Sequence, residues 1–355
     1  MKTALVILNW NTREYLRRWL PALLRSEADV WVADNASTDG SLEMLAEEFP
    51  QVRTIALDTN YGFTGGYDRA FEHIAKVADY QYYVLINSDV EVPDGWLTPL
   101  EDWMDSHPEC GACGPKILTM DADGGRTCRF EYAGAAGGLI DRYGYPFCRG
   151  RVLSRTETDE GQYDSPADVL WVSGACMMTR ASLWHKLGGL DDRFFAHMEE
   201  IDYCWRAQLA GWKVNVVPSS KVWHLGGGTL PQGSPFKLKL NFRNNLLLLE
   251  DNLMATFVAG GASRRTAACK ARLRIFARMV LDGGSAAVYL LTGRAEAFRA
   301  VVSAHKEYRK LKAGDAAGAS AERVPDGLRD ICLLPLSALK GKRIFEYLRQ
   351  YENSH

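Results

Sequence analysis

Short apolar runs alternate with amphipathic segments through residues 1–110. Ala4–Leu8 is unbroken apolar sequence closed by Asn9, which predicts a strand buried on both faces. Arg13–Ser26 repeats Leu16, Trp19, Leu20 and Leu23 at helical spacing, giving one apolar stripe. Val30–Ala33, Val52–Leu57 and Tyr82–Ile86 predict further strands, and Ser41–Phe49, Gly65–Val77 and Asp94–Ser106 further helices. The turn Ser37-Thr38-Asp39-Gly40 opens the second of these helices. Strand and helix alternating at this spacing imply an α/β fold: a mostly parallel, Rossmann-like sheet with right-handed crossovers and helices on both faces. Residues 110–170 are Gly-rich and irregular, with Phe130–Tyr132 as a short strand candidate. They read as hairpins and loops extending the sheet. Val169–Met178 predicts a strand and Arg180–Leu187 a helix closed by Gly188-Gly189. Glu199–Ala210 follows as a helix ended by Gly211, and Lys213–Val217 as a strand leading to His224. From Phe236 onward the pattern is helical, and Ala313–Ser320 reads as a linker or mobile loop. The expected division is a catalytic domain over 1–235, with halves at 1–110 and 111–235, and a helical region over 236–355.

Ligands of open α/β sheets bind outside the C-terminal ends of the strands. Polar residues stand at each such end: Asn9 and Asn11, Asp34 and Asn35, Asn60, then Asn87, Ser88 and Asp89. Asp89 offers a hard oxygen ligand suited to Mg²⁺ or Mn²⁺, although a turn-capping Asp would look the same. Glu199, Glu200 and Asp202 open a helix, where the dipole favours ionised carboxylates able to take a proton from a hydroxyl. An acidic first turn with an Asp202–Arg206 pair is the competing reading. His224 follows a strand and precedes Gly226, Gly227 and Gly228, so its imidazole can complete a metal site begun by Asp89 or serve only structure. The turn Asn60–Gly66 presents backbone amides at a helix start, suited to phosphate or ribose, but its glycines do not match the dinucleotide fingerprint.

Composition narrows the classes. A net charge of −2 gives no global signal for nucleic acid. Eight cysteines include the pair Cys110 and Cys113, but no second pair or suitably spaced His completes a zinc site, so buried, reduced thiols are expected. No stretch approaches about 20 apolar residues, and the N-terminal run is too short for a signal peptide. A cytoplasmic location follows, with peripheral contact at the inner face of the plasma membrane as an option.

Taken in order, several segments resemble the family 2 glycosyltransferases of the GT-A fold, especially their rhamnosyltransferase-like branch. They are Val6–Asn11, Asp34–Gly40, Asn60–Gly66, Leu85–Val90, Trp171–Ala175, Glu199–Arg206 and His224–Gly228. The resemblance covers about residues 1–250. It implies that Asp34 meets the nucleotide base or ribose, and that Asn9, Asn60, Gly65, Asn87 and Ser88 line the donor pocket. It implies Asp89 and His224 as ligands of a divalent cation, Mg²⁺ or Mn²⁺. Trp171, Ser173, Gly174, Glu199 and Asp202 would face donor sugar and acceptor. Glu200 would be the base, standing where the family usually has Asp, just as Asn87 stands where many members have Asp; Glu199 and Asp202 are rival bases.

The implied reaction is an inverting transfer of a sugar from a nucleotide-diphosphate donor, a dTDP- or UDP-sugar with rhamnose as one option. The implied acceptor is a glycan or lipid-linked acceptor in cell-surface polysaccharide synthesis. The competing functions are a sugar-1-phosphate nucleotidyltransferase and a non-catalytic nucleotide-sugar-binding module. The first needs a Gly-rich phosphate loop with basic residues where Asn9-Trp10-Asn11 stands. The basic, apolar stretch Arg264–Leu281 allows membrane contact, or packing on the catalytic domain or in a homodimer.

Overall fold

The computed structural model describes residues 1–121, 123–226, 234–312 and 321–354. The N-terminal half runs β1 (Thr3–Asn9), α1 (Arg13–Leu23), β2 (Asp29–Asp34), α2 (Ser41–Glu48), β3 (Arg53–Ala56), α3 (Gly62–Val77), β4 (Tyr82–Asn87), β5 (Val90–Glu91) and α4 (Thr98–Ser106). β1 lies between β2 and β4, and β3 adds outside β2, all parallel. Alternate residues explain the unbroken apolar run of β1. Leu5 and Ile7 pack with Leu16, Leu20 and Leu23 of α1 on one face, while Ala4 and Val6 pack with Tyr67, Phe71 and Ile74 of α3 on the other.

The chain continues through β6 (Cys110–Met120), β7 (Arg126–Phe130), β8 (Gly138–Asp141), β9 (Pro146–Cys148), β10 (Arg151–Val152), β11 (Arg155–Thr156), β12 (Ala167–Asp168) and β13 (Cys176–Arg180). Then come α5 (Ala181–Leu187), α6 (Glu199–Leu209) and β14 (Lys213–His224). The main sheet has ten strands, ordered β12-β14-β6-β13-β4-β1-β2-β3, with β5 on β14 and β7 on β6. β13 is the antiparallel insert, between β4 and β6.

Three strands differ from the sequence reading, the short one expected at Phe130–Tyr132 lying earlier, at Arg126–Phe130. The predicted strand at Val169–Met178 begins only at Cys176, because Ser173 accepts from the amides of Ala175 and Cys176 and turns the chain. The strand expected to end at Val217 runs on to His224, with a register shift between Val217 and Lys221 that accommodates Pro218. The thiols also depart in part from expectation. Cys110 and Cys113 are buried within β6, but Cys128 and Cys269 are exposed.

The C-terminal region is α7 (Pro235–Ala259), α8 (Arg264–Leu291), α9 (Ala295–Leu311), β15 (Leu328–Arg329), α10 (Leu333–Lys340) and α11 (Ile344–Ser354). It is not wholly helical: β15 pairs with β8 at the edge of a second sheet ordered β11-β10-β9-β8-β15. Leu333, Ile344, Phe345 and Leu348 then cover Leu139, Phe147 and Val152 of that sheet. α7 packs against α6, where the Trp205 indole donates to Thr256 at 2.9 Å and Asn252 donates to Asp202 at 2.8 Å. The linker expected at Ala313–Ser320 lies outside the described residues.

Candidate active site

A cavity of about 820 Å³ opens at the C-terminal ends of β1 and β4, walled by the 173–175 turn, the start of α6, and α7 and α8. Asn60, Asn87, Ser88, Asp89, Trp171, Ser173, Gly174, Glu199, Glu200 and His224 all line it. Segments far apart in sequence therefore meet at one place, as the strand-end rule requires.

Asp89 follows β4 and His224 ends β14, whose pairing with β5 brings them together. His224 Nε2 is 3.1 Å from Asp89 Oδ1 and both residues are buried. On the other side of the ring, Nδ1 is 3.5 Å from Glu131 Oε1 and makes no hydrogen bond. Glu131 is itself oriented, since its second oxygen accepts from the Ala133 amide. Burial opposes the imidazolium, but the two carboxylates outweigh it and push His224 up to about 10. Burial likewise opposes the Asp89 carboxylate, yet His224 holds it below its ordinary value. Asp89 Oδ1 and His224 Nε2, 3.1 Å apart, have the spacing of two ligands to one divalent cation, which would bind the imidazole in its neutral form, with Glu131 behind Nδ1 to orient the ring. No cluster of three His, Cys, Asp or Glu able to hold a metal occurs among the described residues, so most of the coordination would come from phosphate and water.

The acidic turn faces the same cavity. Glu199 Oε2 and Glu200 Oε2 are buried without hydrogen-bond partners. Burial pushes Glu199 well above the usual carboxylate range, and the Glu200 charge adds to this. Burial lifts Glu200 to about 7, against backbone amides at the helix start that pull it down. Gly174 lies opposite: a Cβ there would sit 3.5 Å from Glu200 Cβ and 3.2 Å from Phe63.

The segment leading into α6 is held in an uncommon backbone conformation. Phe195, His197 and Met198 all have positive φ, at 63°, 71° and 75°. Asn244 of α7 fastens them, its Nδ2 lying 2.9, 2.8 and 2.7 Å from the carbonyl oxygens of Phe194, Ala196 and His197. Gly62 meets the segment from below. Its φ is 72°, a Cβ would lie 2.5 Å from the Phe195 ring, and the next amide, Phe63, donates to the Phe195 carbonyl at 2.7 Å. His197 also lines the cavity, and burial holds it down to about 4, hence neutral.

Four expected contact residues do not reach the cavity. Asp34 is fully buried: Asn9 donates to its Oδ2 at 2.7 Å and the Ser37 amide to its Oδ1 at 2.9 Å. Asn9 is fully buried in that same network. Both fix the loops after β1 and β2. Gly65 is a packing glycine, where a Cβ would come within 2.9 Å of Arg69 and 3.0 Å of Tyr61. Asp202 is turned away, paired with Arg206 at 2.6 Å and accepting from Asn252. Glu131 and His197 line the cavity and Asn244 ties the segment before α6, three residues that no motif of the chain marks. Only the position of His197, two residues before the acidic pair, is a usable signal; Glu131 and Asn244 offer none, because their partners are remote in sequence.

An α/β sheet with these strand ends, a carboxylate after β4 and an acidic helix start beyond it is the architecture of the GT-A glycosyltransferases. A crystal structure of GalNAc-T7 with UDP, GalNAc and Mn²⁺ superposes with a TM-score of 0.56 at 17% identity, covering 71% of this chain and 48% of that one. Residues 4–158 match the model of glycosyl transferase family 2. N-acetylglucosaminyl-diphospho-decaprenol L-rhamnosyltransferase of Mycobacterium tuberculosis is 28% identical over 256 residues, 69% of this chain and 83% of its own. Rhamnosyltransferase WbbL of Escherichia coli is 31% identical over 72 residues, 20% of this chain and 27% of its own. The chain is thus similar to the family 2 glycosyltransferases over residues 4–158 and to a rhamnosyltransferase over 69% of its length. The competing nucleotidyltransferase and binding-module readings find no support among these relatives.

Proposed function

We propose that this glycosyltransferase moves a hexose, rhamnose being the first sugar to test, from a dTDP- or UDP-linked donor to a lipid-linked glycan acceptor, with inversion. The observation that carries the reading is the junction of two chemistries in one cavity: the Asp89–His224 pair on one wall and the unpartnered Glu199 and Glu200 carboxyls on another. A divalent cation held by Asp89 and His224 would neutralise charge on the diphosphate. Asn60, Asn87 and Ser88 orient the nucleotide, while Trp171, Ser173 and Gly174 shape the space for the sugar. Glu200 takes the proton of the acceptor hydroxyl as its oxygen bonds to the anomeric carbon. The bond from that carbon to the diphosphate breaks on the opposite face, and the diphosphate leaves with the electron pair. A value near 7 at Glu200 suits this exchange.

The relative's decaprenol-diphosphate-linked acceptor supports the lipid-linked assignment. The test is a coupled assay of nucleoside diphosphate release with a panel of donors, with and without Mg²⁺ or Mn²⁺. Glu200→Gln should lower kcat by about a hundredfold or more while donor affinity survives. Near-normal turnover in that variant removes Glu200 from the role.

A further inference from the structure

The outward face of α8 has an unusual composition. Over its first turns the exposed residues are mostly basic, with Arg264, Arg265, Lys270 and Arg272 beside Thr266 and Cys269. Beyond them, exposed positions are all apolar or small, including Leu273 at 67%, Phe276 at 64%, Val280 at 58% and Leu291 at 86% exposure. No charged side chain is exposed between Leu273 and Leu291. At about 1.5 Å per residue this stripe is roughly 27 Å long. A helix packed on a soluble body normally turns its charged face outward, and this one does the reverse. Gly283 and Gly284 sit within the stripe, and a Cβ on either would meet nothing within 4 Å, so internal packing does not account for them.

The opposite flank of the helix belongs to the active site: Arg278, Ser285 and Tyr289 border the cavity. One helix therefore separates the reaction space from an apolar surface. Charge selects the occupant. No acidic residue occurs between Ser263 and Leu281, so a second copy of this helix would bring another basic turn with no carboxylate on that segment to answer it. An anionic bilayer satisfies both parts, with headgroups for the basic turns and acyl chains for Leu273, Phe276 and Val280. No described helix is long and apolar enough to cross a membrane, so the contact is peripheral.

We propose that this face of α8 docks the enzyme on an anionic lipid surface, setting the cavity beside the headgroup plane where a lipid-linked acceptor presents its sugar. The inference rests on the lipid-linked reading of the acceptor given above. The test is co-sedimentation of the full chain with phosphatidylcholine vesicles, plain or containing about a third phosphatidylglycerol. The expected result is binding to the anionic vesicles that weakens with salt. Phe276→Asp with Val280→Asp should reduce partitioning by about tenfold or more. Arg264→Glu with Arg265→Glu should remove the preference for anionic lipid. Circular dichroism and donor-only release of nucleoside diphosphate should be unchanged in both variants, which separates docking from chemistry. Failure of donor turnover with intact vesicle binding would count against the transferase mechanism alone. No binding to anionic vesicles, or binding untouched by the Phe276 and Val280 changes, overturns the proposal. So does a wild-type dimer that those changes convert to monomer, because the face would then be an interface between copies.

Discussion

Asn244 holds the entry to α6, the helix that opens with Glu199 and Glu200, and removing it should weaken both stability and turnover. Its side chain is fully buried, with Oδ1 fixed by the Arg243 guanidinium at 2.8 Å and Nδ2 facing three carbonyl oxygens. Those carbonyls belong to a segment carrying three non-glycine residues with left-handed backbone, Phe195, His197 and Met198. Each such residue costs on the order of 1–2 kcal/mol, so the conformation persists only because its surroundings impose it. Asn244→Ala deprives the carbonyls of their shared donor, at about 1–3 kcal/mol for each buried acceptor left unpaired. Ala196 and His197 border the cavity, so water can reach part of the gap. The net loss should be about 2–4 kcal/mol, read from the urea midpoint at unchanged slope. Relaxation of the segment moves Glu199 and Glu200, so kcat should fall about tenfold or more, while donor affinity, which the proposed mechanism assigns to Asp89 and His224, should hold. Asn244→Asp sets a carboxylate against three carbonyl oxygens and should be worse than Ala. An Asp variant as stable as Ala, or an Ala variant with native stability and turnover, would refute the clamp.

The remaining predictions concern the same cavity. Glu200 sits near 7 when folded against an ordinary 4.5, so the folded state binds more protons in that window and ionisation at Glu200 costs stability as pH rises through it. Glu200→Gln should therefore be more stable than wild type at about pH 8, the difference vanishing near about pH 4; denaturant titrations at the two values check this, and a pH-independent difference would contradict it. The same ionisation makes kcat/KM rise toward a plateau above about pH 7, and a flat profile through that range argues for another base. Gly62→Ala meets both a φ of 72° and the Phe195 ring, and should cost about 2 kcal/mol or more by thermal unfolding. Glu131→Gln keeps shape but withdraws charge from behind His224, so the Mn²⁺ concentration needed for half-maximal activity should rise about tenfold; an unchanged requirement means Glu131 supports the loop only.

Much of this was legible in the chain. β1, β2 and β4 carry apolar runs because helices cover both their faces, and a doubly buried strand leaves no alternation to misread, whereas β3 at the sheet edge buries only Ile55. The polar residues after them marked the site, but a polar strand end looks the same whether it meets a ligand or ties a loop. Asn9 and Asp34 tie the loops after β1 and β2 to each other. Asp202 was similarly ambiguous until Arg206 and Asn252 occupied its carboxylate. The second sheet was hidden because its strands have two to four residues, and β15 joins β8 from the far end of the chain. Glu131 and Asn244 act through partners that only the tertiary fold brings near.

The proposed donor site is completed by a cation between Asp89 and His224 and faces Glu200. Its most direct test is calorimetric titration of dTDP- and UDP-sugars into wild type and Asp89→Ala, each with and without Mn²⁺. One donor should bind, with Mn²⁺ tightening it at least about tenfold in wild type and leaving the variant unchanged. Equal Mn²⁺ enhancement in both proteins, or wild-type donor binding indifferent to the ion, would contradict it.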